Sequence, residues 1–268
     1  MKTSWLCALI IIVSIFLNKL AIADPLQARE HSDFSYYTLA LSWQTGACQH
    51  QYEINKKESR LCKKQKDSAN KRSYLIVNGL WPSLPASVAA SGVDEKNWAQ
   101  FACFAPPLPD QPKLSPGNMC NAPLIGISLE MASKLAEVMP AAGGDFCLER
   151  YEYAKHGRCF GFNVNDYFGT MIRLNNEVKK QALGGFLQQF YGKMVTRIQF
   201  DHMIKQTWGE NAVRAITLNC QSTSPYLTEI QIALRADKIN QPLHSGSFAP
   251  LNRPGNCTGS FSLDAYGY

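Results

Sequence analysis

The sequence predicts an α+β protein: strands gathered towards the two ends of the chain, most of the helices between them, and disulfides tying the layers together. Three observations carry this. The β-rich runs fall into two separated groups. Segments with a helical period fill most of the interval between those groups. An even number of cysteines remains once an N-terminal leader is set aside. Strands that do not alternate regularly with helices argue against a doubly wound parallel sheet.

The first group of strands is Tyr36 to Trp43 (YYTLALSW) and Tyr74 to Asn78 (YLIVN). The second is Ala215 to Leu218 and Leu227 to Leu234, where Ile230, Ile232 and Leu234 alternate with Gln231 and Ala233. Helices are expected at Glu95 to Cys103, Phe146 to His156, Asp166 to Lys180 and Ile198 to Trp208. A further helix is capped by Ser128, carries Leu129, Ala132, Leu135, Ala136 and Met139 on one face, and stops at Pro140. Pro106 to Pro116 reads as loop. There is no internal repeat, low-complexity block or Gly/Ser linker, so residues 24–268 read as a single domain.

The chain has 268 residues, 46% hydrophobic and 18% charged. This excludes disorder as the main state and supplies enough apolar side chain for a core. Beyond the N-terminus no apolar run approaches the roughly 20 residues that span a bilayer. At the N-terminus, Lys2 precedes the 13-residue apolar stretch Trp5 to Leu17, and Ala21-Ile22-Ala23 has the small-x-small form of a cleavage site. That is the pattern of a secretory signal peptide over residues 1–23. A membrane anchor is the alternative, and it fails on length and on the presence of the cleavage site. Cleavage removes Lys2 and Lys19, leaving 25 basic against 21 acidic side chains, a charge of +4 compatible with a polyanionic partner. It also removes Cys7. Cys48, Cys62, Cys103, Cys120, Cys147, Cys159, Cys220 and Cys257 remain. In an exported chain these read as a disulfide framework, for which about 105 pairings are open. The zinc alternative needs C-x-x-C or Cys/His clusters, which the sequence lacks.

The richest stretch for chemistry is Leu148 to Cys159 (LERYEYAKHGRC). On a helix ending at Gly157, Glu152 and His156 share a face at i, i+4, and Lys155 lies three residues from Glu152. A carboxylate, an ammonium and an imidazole that titrates near neutrality then converge in the last turn. The bland alternative is an exposed helix end with an ordinary salt bridge.

A second segment, Leu75-Ile76-Val77-Asn78-Gly79-Leu80-Trp81-Pro82, resembles the first active-site motif of the T2-type ribonucleases, which reads HGLWP after an apolar strand. Tyr151 to Cys159 resembles their second motif, an acidic-aromatic-x-basic-His-Gly-x-Cys pattern. LALSWQTGACQ, SVAASGVDE, LERYEYAKHGRCFGF and YLTEIQI extend the likeness, towards the periplasmic ribonuclease I branch of that family, over nearly the whole mature chain.

The resemblance implies a T2-like fold with a central antiparallel sheet, and metal-free cleavage of RNA without a cofactor. One histidine takes the ribose 2′-hydroxyl proton and the other protonates the leaving 5′-oxygen, giving a 2′,3′-cyclic phosphate. The need for a 2′-hydroxyl makes RNA the partner and leaves DNA out. The second-motif histidine is His156, with Glu152 and Lys155 as stabilisers of the charged transition state. Trp81 takes the place of the aromatic wall beside the substrate, a core tryptophan being the alternative. Tyr151 stands where many relatives have a phosphate-binding histidine.

The departure is Asn78, which occupies the place of the first-motif catalytic histidine. An amide donates and accepts hydrogen bonds but does not shuttle protons. Loss of one general acid or base costs about 10²- to 10⁴-fold in rate. The other histidines, His31, His50, His202 and His244, stand in no family motif and read as surface or satisfied residues, with His50 in a polar loop left open as a replacement. The resemblance also implies bridges Cys103–Cys159 and Cys220–Cys257; the remaining pairs, Cys48 with Cys62 and Cys120 with Cys147, are guesses.

The expectation is a monomeric periplasmic protein, off the membrane after signal cleavage, that binds RNA and cleaves it poorly or not at all. An active, weakly specific endoribonuclease and a scaffold that no longer binds RNA are the competing readings.

Overall fold

A computed structural model of the chain describes residues 24–67, 74–106, 108, 114, 117–221 and 225–265. Residues 1–23, where a leader is expected, with Cys7, and most of the Pro106 to Pro116 stretch lie outside the described residues.

The described residues contain six strands: β1 (Tyr36–Trp43), β2 (Leu75–Pro82), β3 (Met194–Thr196), β4 (Ile216–Cys220), β5 (Leu227–Arg235) and β6 (Ser260–Ser262). The main sheet has the order β2-β1-β5-β4 and every pairing in it is antiparallel. β3 and β6 form a small antiparallel pair of their own. The α+β reading therefore holds, with a central antiparallel sheet. β1 lies inside the sheet, and its Leu39, Leu41 and Trp43 are buried with Leu75, Val77 and Leu80 of β2 and Ile230 and Ile232 of β5.

Helices pack against the strands of this sheet. The longest, Val164–Lys180, is capped by Asn163, whose side-chain oxygen accepts from the backbone N–H groups of Asn165 and Asp166. It buries Tyr167, Phe168, Met171, Leu174 and Val178, and the Tyr167 hydroxyl donates to the Leu80 carbonyl at 2.8 Å. The helix that carries the second motif spans Leu148–His156 and packs across β2.

Among the described residues four disulfides form: Cys103–Cys159 and Cys220–Cys257, the pairs that the resemblance implies, and Cys48–Cys62 and Cys120–Cys147, the two guessed pairs. Two of them bracket the second-motif helix. Cys147 is its N-cap, in the left-handed region at φ 53°, and Cys159 lies three residues past its end. Bonds at both ends limit how this short helix can shift against β2.

Three expectations are corrected. Ser128 does cap Leu129–Val138, accepting from the Met131 N–H, but Leu129 is 91% exposed and Ala136 is also exposed. The fully buried side chains are Leu135, Val138 and Met139 at the C-terminal end, while Met131 packs partly buried against the core. His50 lies on the helix Gln44–Asn55, not in a loop. The strand expected at Tyr74 to Asn78 continues to Pro82 because β1 pairs with it along its full length.

Candidate active site

β2 and the helix Leu148–His156 build the site. Pairing between β1 and β2 skips one residue: Ala40 faces Gly79 and Leu41 faces Val77, so Asn78 is the extra residue of a β-bulge. A bulge re-aims its side chain and increases local twist. Gly79 follows because nothing larger fits: a Cβ there would lie 2.1 Å from Glu152 Oε2 and 2.2 Å from Trp81 Nε1.

Glu152 and His156 are 5% and 6% exposed, with Nε2 of the histidine 4.0 Å from Oε2 of the glutamate. The Trp81 indole donates to that same oxygen at 2.8 Å and stacks on the His156 ring, centroids 5.4 Å apart at 27°. Trp81 is half-buried, a wall of the site and not a core residue. Lys155 is half-buried with Nζ 5.7 Å from the Tyr151 ring centroid, and Tyr151 in turn lies against Phe104. Glu152, His156 and Trp81 are thus in contact, with Lys155 and Tyr151 paired on the same helix, and Glu152 and His156 are buried where an exposed helix end was the alternative.

Burial sets the charges here. It pushes the Glu152 carboxyl up to about 7, with Glu229 adding to the rise, while the Trp81 hydrogen bond and the Lys155 charge pull the other way. Burial, then the Lys155 charge, hold the His156 imidazole well below its usual value. Burial also lowers the Lys155 ammonium, and Glu152 opposes it. Near neutral pH the site therefore holds an uncharged imidazole able to accept a proton beside a carboxyl able to give one. His156 Nδ1 is buried with no hydrogen-bond partner, an orphan of the kind that functional sites retain.

Asn78 belongs to a different set of contacts. Its Oδ1 accepts from the Ser42 hydroxyl at 3.0 Å, and its Nδ2 donates to Glu229 Oε2 at 3.3 Å. Glu229 was missed in the sequence, although the alternation of β5 places it with Gln231 on the face opposite Ile230 and Ile232. Beside Asn78 opens a cavity of about 260 Å³, bounded among others by Ser42, Gln44, Val77, Phe146 and Leu148.

The remaining histidines are elsewhere. His31 is half-buried, 3.4 Å from the Ser87 hydroxyl, and His202 is exposed on the helix Arg197–Trp208. His244 caps the turn Ser245–Ser247, and His50 contacts Gln221 at 3.1 Å.

A family model described as Ribonuclease T2 family matches residues 34–243. The chain belongs to the ribonuclease T2 family. It is 51% identical to Ribonuclease I of Escherichia coli (strain K12) over 268 residues, covering all of both chains. Among solved structures it resembles the SF11-RNase of Nicotiana alata, described as associated with gametophytic self-incompatibility, at TM-score 0.52 and 18% identity over 87% of this chain and 100% of that one. Ribonuclease MC1 from the seeds of bitter gourd matches at TM-score 0.51 and 16% identity, over 85% and 100%. These two likenesses establish the T2 fold alone.

Proposed function

We propose that this ribonuclease T2 family member is an exported, periplasmic RNA-binding protein whose endoribonuclease activity is absent or strongly impaired. Export rests on the leader pattern of residues 1–23, cleaved after Ala23, and the protein acts as a monomer off the membrane. RNA is the ligand, not DNA, because cleavage of the family type needs the ribose 2′-hydroxyl. Trp81 and Tyr151 supply aromatic faces and Lys155 the cation for a phosphate.

One observation carries the impairment: Asn78, at the first-motif position, is an amide held between the Ser42 hydroxyl and the Glu229 carboxylate. It has no titrating proton to give to or take from the ribose or the leaving oxygen. His156 remains as a single imidazole, with Glu152 and Lys155 as transition-state stabilisers. The expected deficit is about 10²- to 10⁴-fold relative to a two-histidine site.

A second reading, slow but genuine cleavage, is favoured by the pairing of Glu152, whose carboxyl lies near 7, with a neutral His156 4.0 Å away. In that reading His156 takes the 2′-hydroxyl proton and Glu152 supplies the other.

Turnover of RNA by the purified native protein and by Asn78→His separates the two. Silence of the native protein with activity in Asn78→His supports the first reading. Brisk native cleavage that His156→Ala abolishes replaces it with the second. If neither protein cleaves, RNA binding at two salt concentrations decides whether the cleft still contacts phosphates, and a flat salt dependence leaves only a scaffold.

A further inference from the structure

A row of polar side chains crosses the whole main sheet on one face. Asn78 of β2, Ser42 of β1, Glu229 of β5 and Asn219 of β4 lie in sequence along it, with Ser42 directly opposite Glu229 and Glu229 directly opposite Asn219. Glu229 is its centre. One carboxylate oxygen accepts from Asn219 Nδ2 at 3.1 Å and from the Gln231 amide, and the other from Asn78 Nδ2 at 3.3 Å. A half-buried carboxylate needs donors of this kind to offset lost hydration. Here Asn219 of β4 and Gln231 of its own strand supply two of them, so its direction is held by groups other than the one at position 78.

We infer that Glu229 is a positioning residue for the side chain at position 78: its free oxygen is aimed at the bulge, where it holds a donor and, when that donor is an imidazole, favours the protonated ring. This rests on the reading of Asn78 as the altered proton-transfer position. A ring placed there meets a carboxylate on one side, which fixes its orientation and tautomer, in the way supporting carboxylates orient catalytic histidines. Asn78 satisfies the same two neighbours without a proton to move: its oxygen answers Ser42 and its nitrogen answers Glu229. The support thus remains complete around a side chain that does not titrate. Among the described residues, Glu229 on β5 contacts this position, and the helix packed across β2 carries Glu152, Lys155 and His156. Glu229 and Glu152 are close enough to feel one another.

The test is a histidine-labelled NMR titration of Asn78→His and of Asn78→His combined with Glu229→Gln, alongside the pH profile of RNA cleavage. Glutamine keeps the size and shape of Glu229, removes its charge and leaves one acceptor oxygen, which can still take the Asn219 and Gln231 amides. The titration midpoint of the introduced ring is expected to fall by about one pH unit or more in the double variant, and the matching limb of the pH profile to move with it. Equal midpoints overturn the inference. Should the double variant not fold, Glu229→Asp keeps the charge at greater distance, and a midpoint below that of Asn78→His is expected; an unchanged midpoint again overturns it. If Asn78→His stays silent towards RNA while the midpoints differ, the reading of position 78 fails and the role of Glu229 stands. If cleavage returns and the midpoints coincide, the reverse holds.

Discussion

Trp81 and Glu152 lie 71 residues apart in sequence and share a single hydrogen bond at 2.8 Å, which joins the end of β2 to the second-motif helix. The same indole stacks on His156, so one side chain both moderates the carboxyl and walls the imidazole. Trp81→Phe retains the ring face and removes the donor. The Glu152 carboxyl then loses a contact that opposes its rise to about 7, and its midpoint in a carbon-13 titration should move higher still. Above pH 7 the charged carboxylate is left without that donor, and chemical unfolding should register a loss of about 1–3 kcal/mol. Below pH 5, where the group is protonated, the loss should be smaller.

Glu152 itself is expected to lower stability at neutral pH. Its carboxyl lies at about 7 in the folded protein against an ordinary 4.5. Between those values the unfolded chain gives up its proton while the folded one keeps it, so stability falls as pH rises from 4.5 to 7 and is level above. The full effect is about 3 kcal/mol as an upper bound. His156 acts in the opposite direction: its ring is held well below 6.5, so stability falls as pH drops below 6.5. Glu152→Gln leaves the histidine in place and can still accept from Trp81. It should equal the native protein in urea unfolding at pH 4 and exceed it at pH 8, at the expense of RNA cleavage wherever that is detectable.

Much of this site is legible in the sequence because its parts are local. Glu152, Lys155 and His156 are set by helical spacing, and Gly157 marks where the helix stops. Of the bridge partners of this helix, Cys103 could be named only through the family resemblance and Cys120 only as a guess, since spacing leaves the connectivity open. Glu229 escaped because its significance depends on which strands pair. Asn78 and Glu229 are 151 residues apart, and only β1, lying between β2 and β5, brings them together. The bulge at Asn78 is likewise a property of pairing and not of the β2 sequence. Among the elements, Gln44–Asn55 was missed because it starts directly after β1 without a side-chain cap and contains Gly46. That glycine is required by packing, a Cβ there falling 1.9 Å from the Leu227 carbonyl oxygen. The three-residue strands β3 and β6 are too short to display alternation.

Gly79→Ala should be among the most disruptive small substitutions at the site. The added methyl would fall 2.1 Å from Glu152 Oε2 and 2.2 Å from Trp81 Nε1, forcing apart the groups that share the 2.8 Å hydrogen bond. Overpacking of this kind costs about 1–3 kcal/mol. Gly126→Ala is the control: nothing lies within 4 Å of a Cβ there. Its effect should stay within about 0.5 kcal/mol. Parallel urea titrations check both.

Lys155 offers the cleanest measure of whether the cleft engages RNA through phosphate. It is half-buried beside Tyr151, with burial lowering its ammonium and Glu152 supporting it. A cation that neutralises one phosphate releases its counterions, and each such contact contributes about 0.7 to the salt slope of single-strand binding. Lys155→Met keeps the aliphatic stem against Tyr151 and removes the charge. At pH 6 it should weaken binding to RNAs of different sequence by similar factors and lower the salt slope by about one contact. A change in sequence preference with an unaltered slope would instead assign Lys155 to base recognition, and no change in either would place the bound strand away from the second-motif helix.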